Sequence, residues 1–485
     1  MNNPIKKYLT RIYFWFSVLF LIGLCCSKFL MSAALILHAL TFILFGDYSF
    51  FRTRILENRW LFLLLSFWLL HVISLTWSLN LEEGWDAIRV RLSMVSIPFL
   101  YAGTLSFSDK EIYQWCKIFI LTVAVIISLN IIHFIYINAS IGAHDIRQLS
   151  WFGSHIRFGI LVAFSSAFGL FLWKKKQIGL LPLIVFSIVV FGYVIYSQTF
   201  SAILSMAIIV VVFAIYLGSK SLYFKWFFAG GLILIFSLLT SAFIYIATPE
   251  PNCGTFQNLD EISKVWEKKS SFPIRDKDKK GQFIQRTAER YICAKNLPLT
   301  AASIKLLSLK DIQNIENGNT SPQAITGGLI ARLDELRFQI HETKNPNGNS
   351  WLQRLEYWKT GWSLIKENSL IGVGIGDVYQ ALSYKYKALN SPLELKNRKR
   401  CHNMFLTTWL GVGILGTVIL LSILITLFLI GIQMKSPLLI SFVFITGITM
   451  LFEDQLETQA GASFFGFFII ILGCHATQNI WRLKN

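Results

Sequence analysis

Three residues of this chain set reactive side chains at unusual positions. Cys401-His402-Asn403 stands where a polar stretch ending in Arg398, Lys399 and Arg400 meets a long apolar run. An imidazole titrates near neutral pH and can serve there as a general base. The competing reading of His402 is an interfacial histidine holding a structural hydrogen bond. Arg354 opens the aromatic stretch Arg354-Leu-Glu-Tyr-Trp, and Arg157 lies in Trp151-Phe-Gly-Ser-His-Ile-Arg-Phe-Gly159, two residues after His155. A guanidinium keeps its charge and offers paired donors to phosphate oxygens. The plainer readings are a solvated helix charge for Arg354 and an arginine snorkelling to lipid headgroups for Arg157.

A second group of residues could join such a site. Arg89 and Arg91 break the charge asymmetry expected around an apolar run, which makes them candidate phosphate ligands, and Arg400 adjoins His402. Glu453, Asp454 and Glu457 form an acidic cluster that reads as a polar loop, or as carboxylates that accept a proton or pair with a site arginine. The run Gly372-Val-Gly-Ile-Gly-Asp377 is no dinucleotide fingerprint, because no strand–helix unit surrounds it. It reads as a tight turn, with a backbone phosphate nest as the alternative. His38, His71 and His133 fall inside apolar runs and read as helix–helix contacts. Asp276-Lys-Asp278 is the one Asp-x-Asp spacing in the long polar segment, and its Lys-rich surroundings read as solvated. No Cys-x-x-Cys or His/Cys cluster has zinc spacing. Basic residues would then take the place of a metal as the electrostatic clamp, so neither a metal nor a cofactor is expected.

The elements that must carry these residues are membrane helices. Of 485 residues 54% are hydrophobic and 41 are Phe, and the mean hydropathy is +0.54. Only 15% are charged, against about 25% in a soluble domain. A chain soluble throughout, a disordered chain, a collagen and a small disulfide scaffold are all excluded. A spanning helix needs about 20 mostly apolar residues. Apolar runs near 11–26, 29–46, 60–79, 91–106, 114–137, 157–173, 178–196, 200–217, 224–247, 403–432, 436–452 and 461–478 predict about twelve spans. The fourth is short and holds Pro98.

Charge in the short connections predicts orientation, since Lys and Arg gather on the cytoplasmic side. Lys6, Lys7 and Arg11, then Arg52, Arg54 and Arg59, then Lys174, Lys175 and Lys176 fall on one side, as do Lys435, Arg482 and Lys484. Both termini are expected there, with no cleavable signal peptide evident. The net charge of +18 first suggests nucleic acid, but its placement argues against that partner. Part of it orients the helices. The rest lies in one polar segment, 248–401, with 24 Lys and Arg against 16 Asp and Glu. That segment is expected outside the cytoplasm, where a basic surface beside lipid suits phosphate on a lipid carrier.

The predicted organisation is therefore all-α: a membrane domain over 1–247 with nine spans, a mainly helical external loop domain over 248–401, and spans ten to twelve over 402–485. Helical spacing within the loop marks Gly328–Glu342 and Trp351–Glu367, the latter with Ser350 as N-cap and Gln353 closing a capping box. Its face of Trp351, Leu355, Trp358, Trp362 and Ile365 rests either on the membrane interface or on neighbouring helices. Asn345-Pro-Asn-Gly-Asn349 reads as the turn between them. Residues 254–290 resist assignment, and Cys253–Cys293 is a candidate disulfide in an oxidising compartment.

In order, the chain shows an Arg before an aromatic helix (Arg354), the Gly372–Gly376 turn, His402-Asn403 opening a span, and Gly411-Val-Gly-Ile-Leu-Gly416. This pattern resembles the O-antigen ligase and polymerase superfamily of integral membrane enzymes. The long loop, Asn314-Ile-Glu-Asn-Gly and Glu453-Asp-Gln-Leu-Glu457 are similar to the branch found in Bacteroidetes. The resemblance is specific over about 350–420 and architectural elsewhere.

What it implies is an inverting glycosyltransferase of the bacterial inner membrane with its site facing the periplasm. The donor would be a glycan on a polyprenyl (undecaprenyl) diphosphate, and the acceptor lipid A–core for a ligase or a growing glycan for a polymerase. The resemblance implies His402, Arg354 and Arg157 as catalytic residues; charge placement and proximity add Arg89, Arg91, His155, Arg400 and Glu457 as candidate contacts to diphosphate or acceptor. A lipid-linked glycan transporter is the alternative from another class, weakened by the lack of an internal repeat.

Overall fold

The computed structural model describes residues 4–141, 146–218, 222–248, 254–279, 282–322, a few positions between 333 and 347, and 350–484. It is all-helical among the described residues. The first nine helices are α1 Pro4–Cys26, α2 Lys28–Phe45, α3 Tyr48–Glu57, α4 Leu61–Ile73, α5 Leu81–Thr104, α6 Asp109–Ile141, α7 His155–Lys174, α8 Leu180–Ser197 and α9 Phe200–Gly218. Then follow α10 Leu222–Ala247, the short α11 Leu259–Trp266, α12 Ile284–Ala294, α13 Ala301–Leu306 and α14 Leu309–Glu316. After these come α15 Ser350–Glu367, α16 Val378–Ala388, α17 Met404–Gln433, α18 Pro437–Thr449 and α19 Gln459–Lys484.

Eight of these helices are long and apolar enough to cross a membrane, and the count becomes nine if the pair α3 with Leu61–Trp77, bent by 93°, is one broken span. The chain is thus a multi-pass membrane protein. The expected count of twelve is not reached among the described residues. The fourth expected span begins in the middle of α5, which carries Glu82, Glu83, Asp86, Arg89 and Arg91. The eleventh is only the 13-residue α18. The ninth falls on α10, several of whose side chains lie outside the description.

The chain divides into two compact units, Met1–Ile233 with Tyr357–Leu389 and Lys399–Asn485, and Leu234–Glu356 with Asn390–Arg398. Residues 357–389 fall in the first unit, with the membrane helices.

In the first unit α19 is the central helix, with 89% of its apolar window buried. Its Phe464 and Phe468 pack edge-on against Phe164 of α7, and Phe442 of α18 joins them. Phe is so abundant because a core without water gains from dense aromatic contact. Of the three histidines expected at helix–helix contacts, His38 makes one, while His71 Nδ1 lies 2.8 Å from Phe67 O in its own helix and half-buried His133 stacks on Trp151. His38 Nε2 lies 2.7 Å from Thr104 Oγ1 and stacks on Tyr13 and Tyr101.

The glycine runs hold the site's elements together. Gly372 and Gly374 have φ of +72° and +95°. Val373 N–H donates to Leu410 O at 2.7 Å and Gly374 N–H to Gly411 O at 3.2 Å. Ile375 and Gly376 N–H donate to Ser74 and Ser78 Oγ, and Asp377 accepts from the backbone of Leu79 and Asn80. These amides are spoken for, so the run is a docking turn and not a phosphate nest. Opposite it, α17 kinks at Val412–Gly413, where Gly413 has φ of +74°.

A methyl group on Gly374 would strike Ser78, and one on Gly413 the Leu370 carbonyl. Gly374→Ala and Gly413→Ala should each lower stability by about 1–3 kcal/mol from backbone strain, before the clash is added. The Gly192→Ala control has nothing within 4 Å of the new methyl. Thermal unfolding in detergent should shift for the first two and not for the control.

The second unit has its own core of residues such as Trp266, Ile284, Tyr291, Ile304 and Ile315. The stretch 254–290 that resists assignment from sequence forms α11, a turn closed by the Lys277–Phe283 bridge, and the start of α12. Asp278 is buried and not solvated as expected, because it accepts from Thr287 Oγ1 at 2.6 Å and from Gln282 N at 3.0 Å. Burial alone would raise the Asp311 pKa. Hydrogen bonds from Lys295, Tyr291 and Ser308 outweigh it and hold that carboxyl below the usual range. Cys293 is disulfide-bonded, and its expected partner Cys253 lies outside the described residues. So do most of Gly328–Glu342 and much of the 345–349 turn.

Candidate functional site

Four elements of the first unit meet around His402: the start of α17, the turn between α18 and α19, the middle of α5 and the first turn of α7. Asn403 is the N-cap of α17, accepting from Phe405 N at 3.0 Å and Leu406 N at 3.1 Å. Asn is favoured at this position because its side chain satisfies amides the helix leaves unpaired. Met404 N–H donates to Met450 O at 2.7 Å, tying α17 to the end of α18.

His402 precedes the cap with φ of +48°, a left-handed conformation uncommon outside glycine. Its N–H donates to Asp454 Oδ2 at 3.0 Å, and Thr407 Oγ1 donates to Asp454 Oδ1 at 2.7 Å. The imidazole is one-third exposed, with Nδ1 3.9 Å from Glu453 Oε2. The Tyr357 ring lies 5.7 Å from it, centre to centre. Neighbouring Cys401 is no nucleophile, because burial pushes its thiol well above the ordinary range. Gly361 of α15 packs on its sulfur, and Trp358 Nε1 donates to its carbonyl at 3.0 Å. From Trp358 onward, the aromatic face of α15 packs on its neighbours: Trp358 on Phe452 and Trp362 on Trp409. The helix begins at Ser350 itself, one residue before the expected start.

Arg91 is expected at the start of a span but lies well inside α5, fully buried. Its Nη2 donates to Glu457 Oε1, and Arg400 Nη1 donates to Glu457 Oε2 at 2.5 Å. A buried carboxylate thus balances two arginines beside His402. This arrangement sets Glu457 as a counter-ion and leaves one positive charge over. Arg89, two residues from Arg91, is not brought in. It makes an exposed i,i+3 pair with Asp86 at 3.0 Å.

Arg157 and His155 stand on the first turn of α7. Arg157 lines a small cavity with Glu453, Asp454, Gln455 and Thr449, together with apolar Leu24, Ile160, Leu161 and Phe464. Arg354 falls in the second unit's share of α15 and is half-buried there.

The structure brings together Arg91, Arg157, Arg400, His402 and Glu457 and adds Asp454, Thr407 and Tyr357. Asp454 carried one sequence signal, its place in the acidic cluster. Tyr357 stood in the aromatic stretch after Arg354, and Thr407 carried none, since its role depends on contacts across the fold. Among the described residues, no group of three His, Cys, Asp or Glu side chains has metal-holding geometry.

The arrangement offers a proton acceptor and fixed positive charge, beside a small, mainly apolar cavity that Arg157, Glu453 and Asp454 line. A family model described as O-Antigen ligase matches residues 185–421, a stretch that contains Arg354, the glycine turn, His402 and the α17 kink. No curated protein matches the chain.

Proposed function

We propose, from the membership of residues 185–421 in the O-antigen ligase superfamily, that this protein is an inverting glycosyltransferase acting on lipid-linked glycan. The donor is a glycan on polyprenyl, most simply undecaprenyl, diphosphate. The acceptor is a sugar hydroxyl of lipid A–core, which makes the protein an O-antigen ligase. An O-antigen polymerase runs the same chemistry with a growing glycan as acceptor. The bacterial inner membrane is its place, with the site on the periplasmic side. The distribution of Lys and Arg supports this orientation.

The observation that carries the reading is His402, held at the mouth of α17 with carboxylates on one side and arginines on the other. In the reaction the acceptor oxygen attacks the anomeric carbon from the face opposite the diphosphate. The carbon–oxygen bond to phosphate breaks, and its electron pair leaves with the diphosphate. The hydroxyl proton passes to His402. A carboxylate near Nδ1, here Glu453, would leave Nε2 to face the acceptor. Arg157 neutralises the charge that develops on the leaving group, a role that the family resemblance also gives to Arg354. Arg400 is the arginine of the Glu457 set with solvent access, its side chain 36% exposed, and the one able to reach a phosphate.

Purified protein in proteoliposomes, given lipid-linked donor and lipid A–core, should form the capped product without a second enzyme. It should do so equally in excess EDTA. Lengthened lipid-linked glycan and no capped core would assign the polymerase instead. Donor crossing the bilayer with no glycosidic bond formed would overturn the reading in favour of a transporter.

A further inference from the structure

His402 occupies a backbone conformation that costs energy for a residue with a side chain, at φ +48°. Such a conformation persists only where surrounding contacts impose it. Three contacts do so here. Asn403 caps the helix behind it, Met404 N–H is tied to Met450 O, and Asp454 accepts from the His402 N–H itself. Asp454 has a double hold, because its other oxygen accepts from Thr407 Oγ1, one turn into α17. One carboxylate therefore links the histidine backbone to the helix that follows it. The same side chain lines the cavity that Arg157 enters.

We infer that Asp454 is a positioning residue, which fixes the direction of the His402 imidazole through the His402 N–H and Thr407, without taking the proton itself. The inference rests on the reading of His402 as the proton acceptor. An asparagine at 454 can reproduce both hydrogen bonds. Its amide oxygen accepts from His402 N–H, and its amide nitrogen donates to Thr407 Oγ1, a hydroxyl able to accept. Alanine reproduces neither.

The test is donor KM and kcat for Asp454→Ala, Asp454→Asn and Thr407→Val in proteoliposomes, with His402→Ala alongside. Asp454→Ala should lose about ten- to a hundredfold in kcat, in line with the cost of misplacing a reacting group, with donor KM unchanged. Thr407→Val should lose less, and Asp454→Asn should keep kcat within about threefold, the amide keeping the group in place. Wild-type kcat in Asp454→Ala, beside inactive His402→Ala, overturns the inference and leaves the reading of His402 intact. Active His402→Ala overturns that reading instead. If Asp454→Ala fails to fold, Asp454→Asn decides: kcat as low as in His402→Ala would mean that the charge, not the hydrogen bonds, matters, and the positioning role is lost.

Discussion

Replacing His402 with alanine should reduce glycan transfer by about a hundred- to ten-thousandfold, the usual worth of a positioned general base. Donor binding should survive, because Arg91 and Arg400 are held by Glu457 and Arg157 stands on α7. Alanine changes two things at once, the imidazole and the residue's tolerance of a left-handed backbone. His402→Asn separates them. Asparagine enters that conformation as readily as histidine, but its amide does not take up a proton near neutral pH. Both variants should be equally inactive, while thermal unfolding of His402→Asn stays near wild type. A transfer assay in which His402→Asn works at the normal rate would remove the proton-accepting role. It would leave a histidine kept for its backbone.

The membrane helices are legible in the sequence because length and apolarity are local properties. A run such as 403–432 needs about 20 apolar residues, and no distant partner, to be read as a span. Where the reading falls short, a charge is buried through a partner far along the chain. Arg91 and Glu457 are 366 positions apart, and nothing near Arg91 says that a carboxylate awaits it. Without that partner the charges of α5 read as the edge of a span and not as the interior of a helix.

The glycine turn shows the same limit from the other side. The spacing of Gly372, Gly374 and Gly376 announces close approach, but whether to phosphate or to another backbone depends on Leu410, Ser74 and Ser78. The family match covers 185–421 and so includes His402, Arg354 and both glycine runs. Arg91, Arg157, Asp454 and Glu457 lie outside it. The part of the site that is readable as a motif is thus the part carried by contiguous chain. The counter-charges that complete it come from α5, α7 and the turn before α19, and only the fold assembles them.

Removing Glu457 should be the most damaging single change to stability in this unit. Its side chain is 8% exposed and is the acceptor for two guanidiniums, one of them on the fully buried Arg91. Breaking a buried ion pair by deleting one partner costs about 3–5 kcal/mol, because the other charge stays buried and uncompensated. Glu457→Ala should show this loss in thermal unfolding of the detergent-solubilised protein. Arg91→Met should restore part of it in the double variant, since an ion set replaced by apolar groups of similar volume is often close to neutral. Arg400 alone would not reproduce the loss, because it is more than one-third exposed and water can take the place of its partner. Equal losses in Glu457→Ala and Arg400→Ala would place the energetic weight on the exposed pair and contradict the buried one. The same arithmetic bears on function. Glu457 offsets one of the two guanidiniums it accepts from, so the pair does not hold the product diphosphate as two free guanidiniums would.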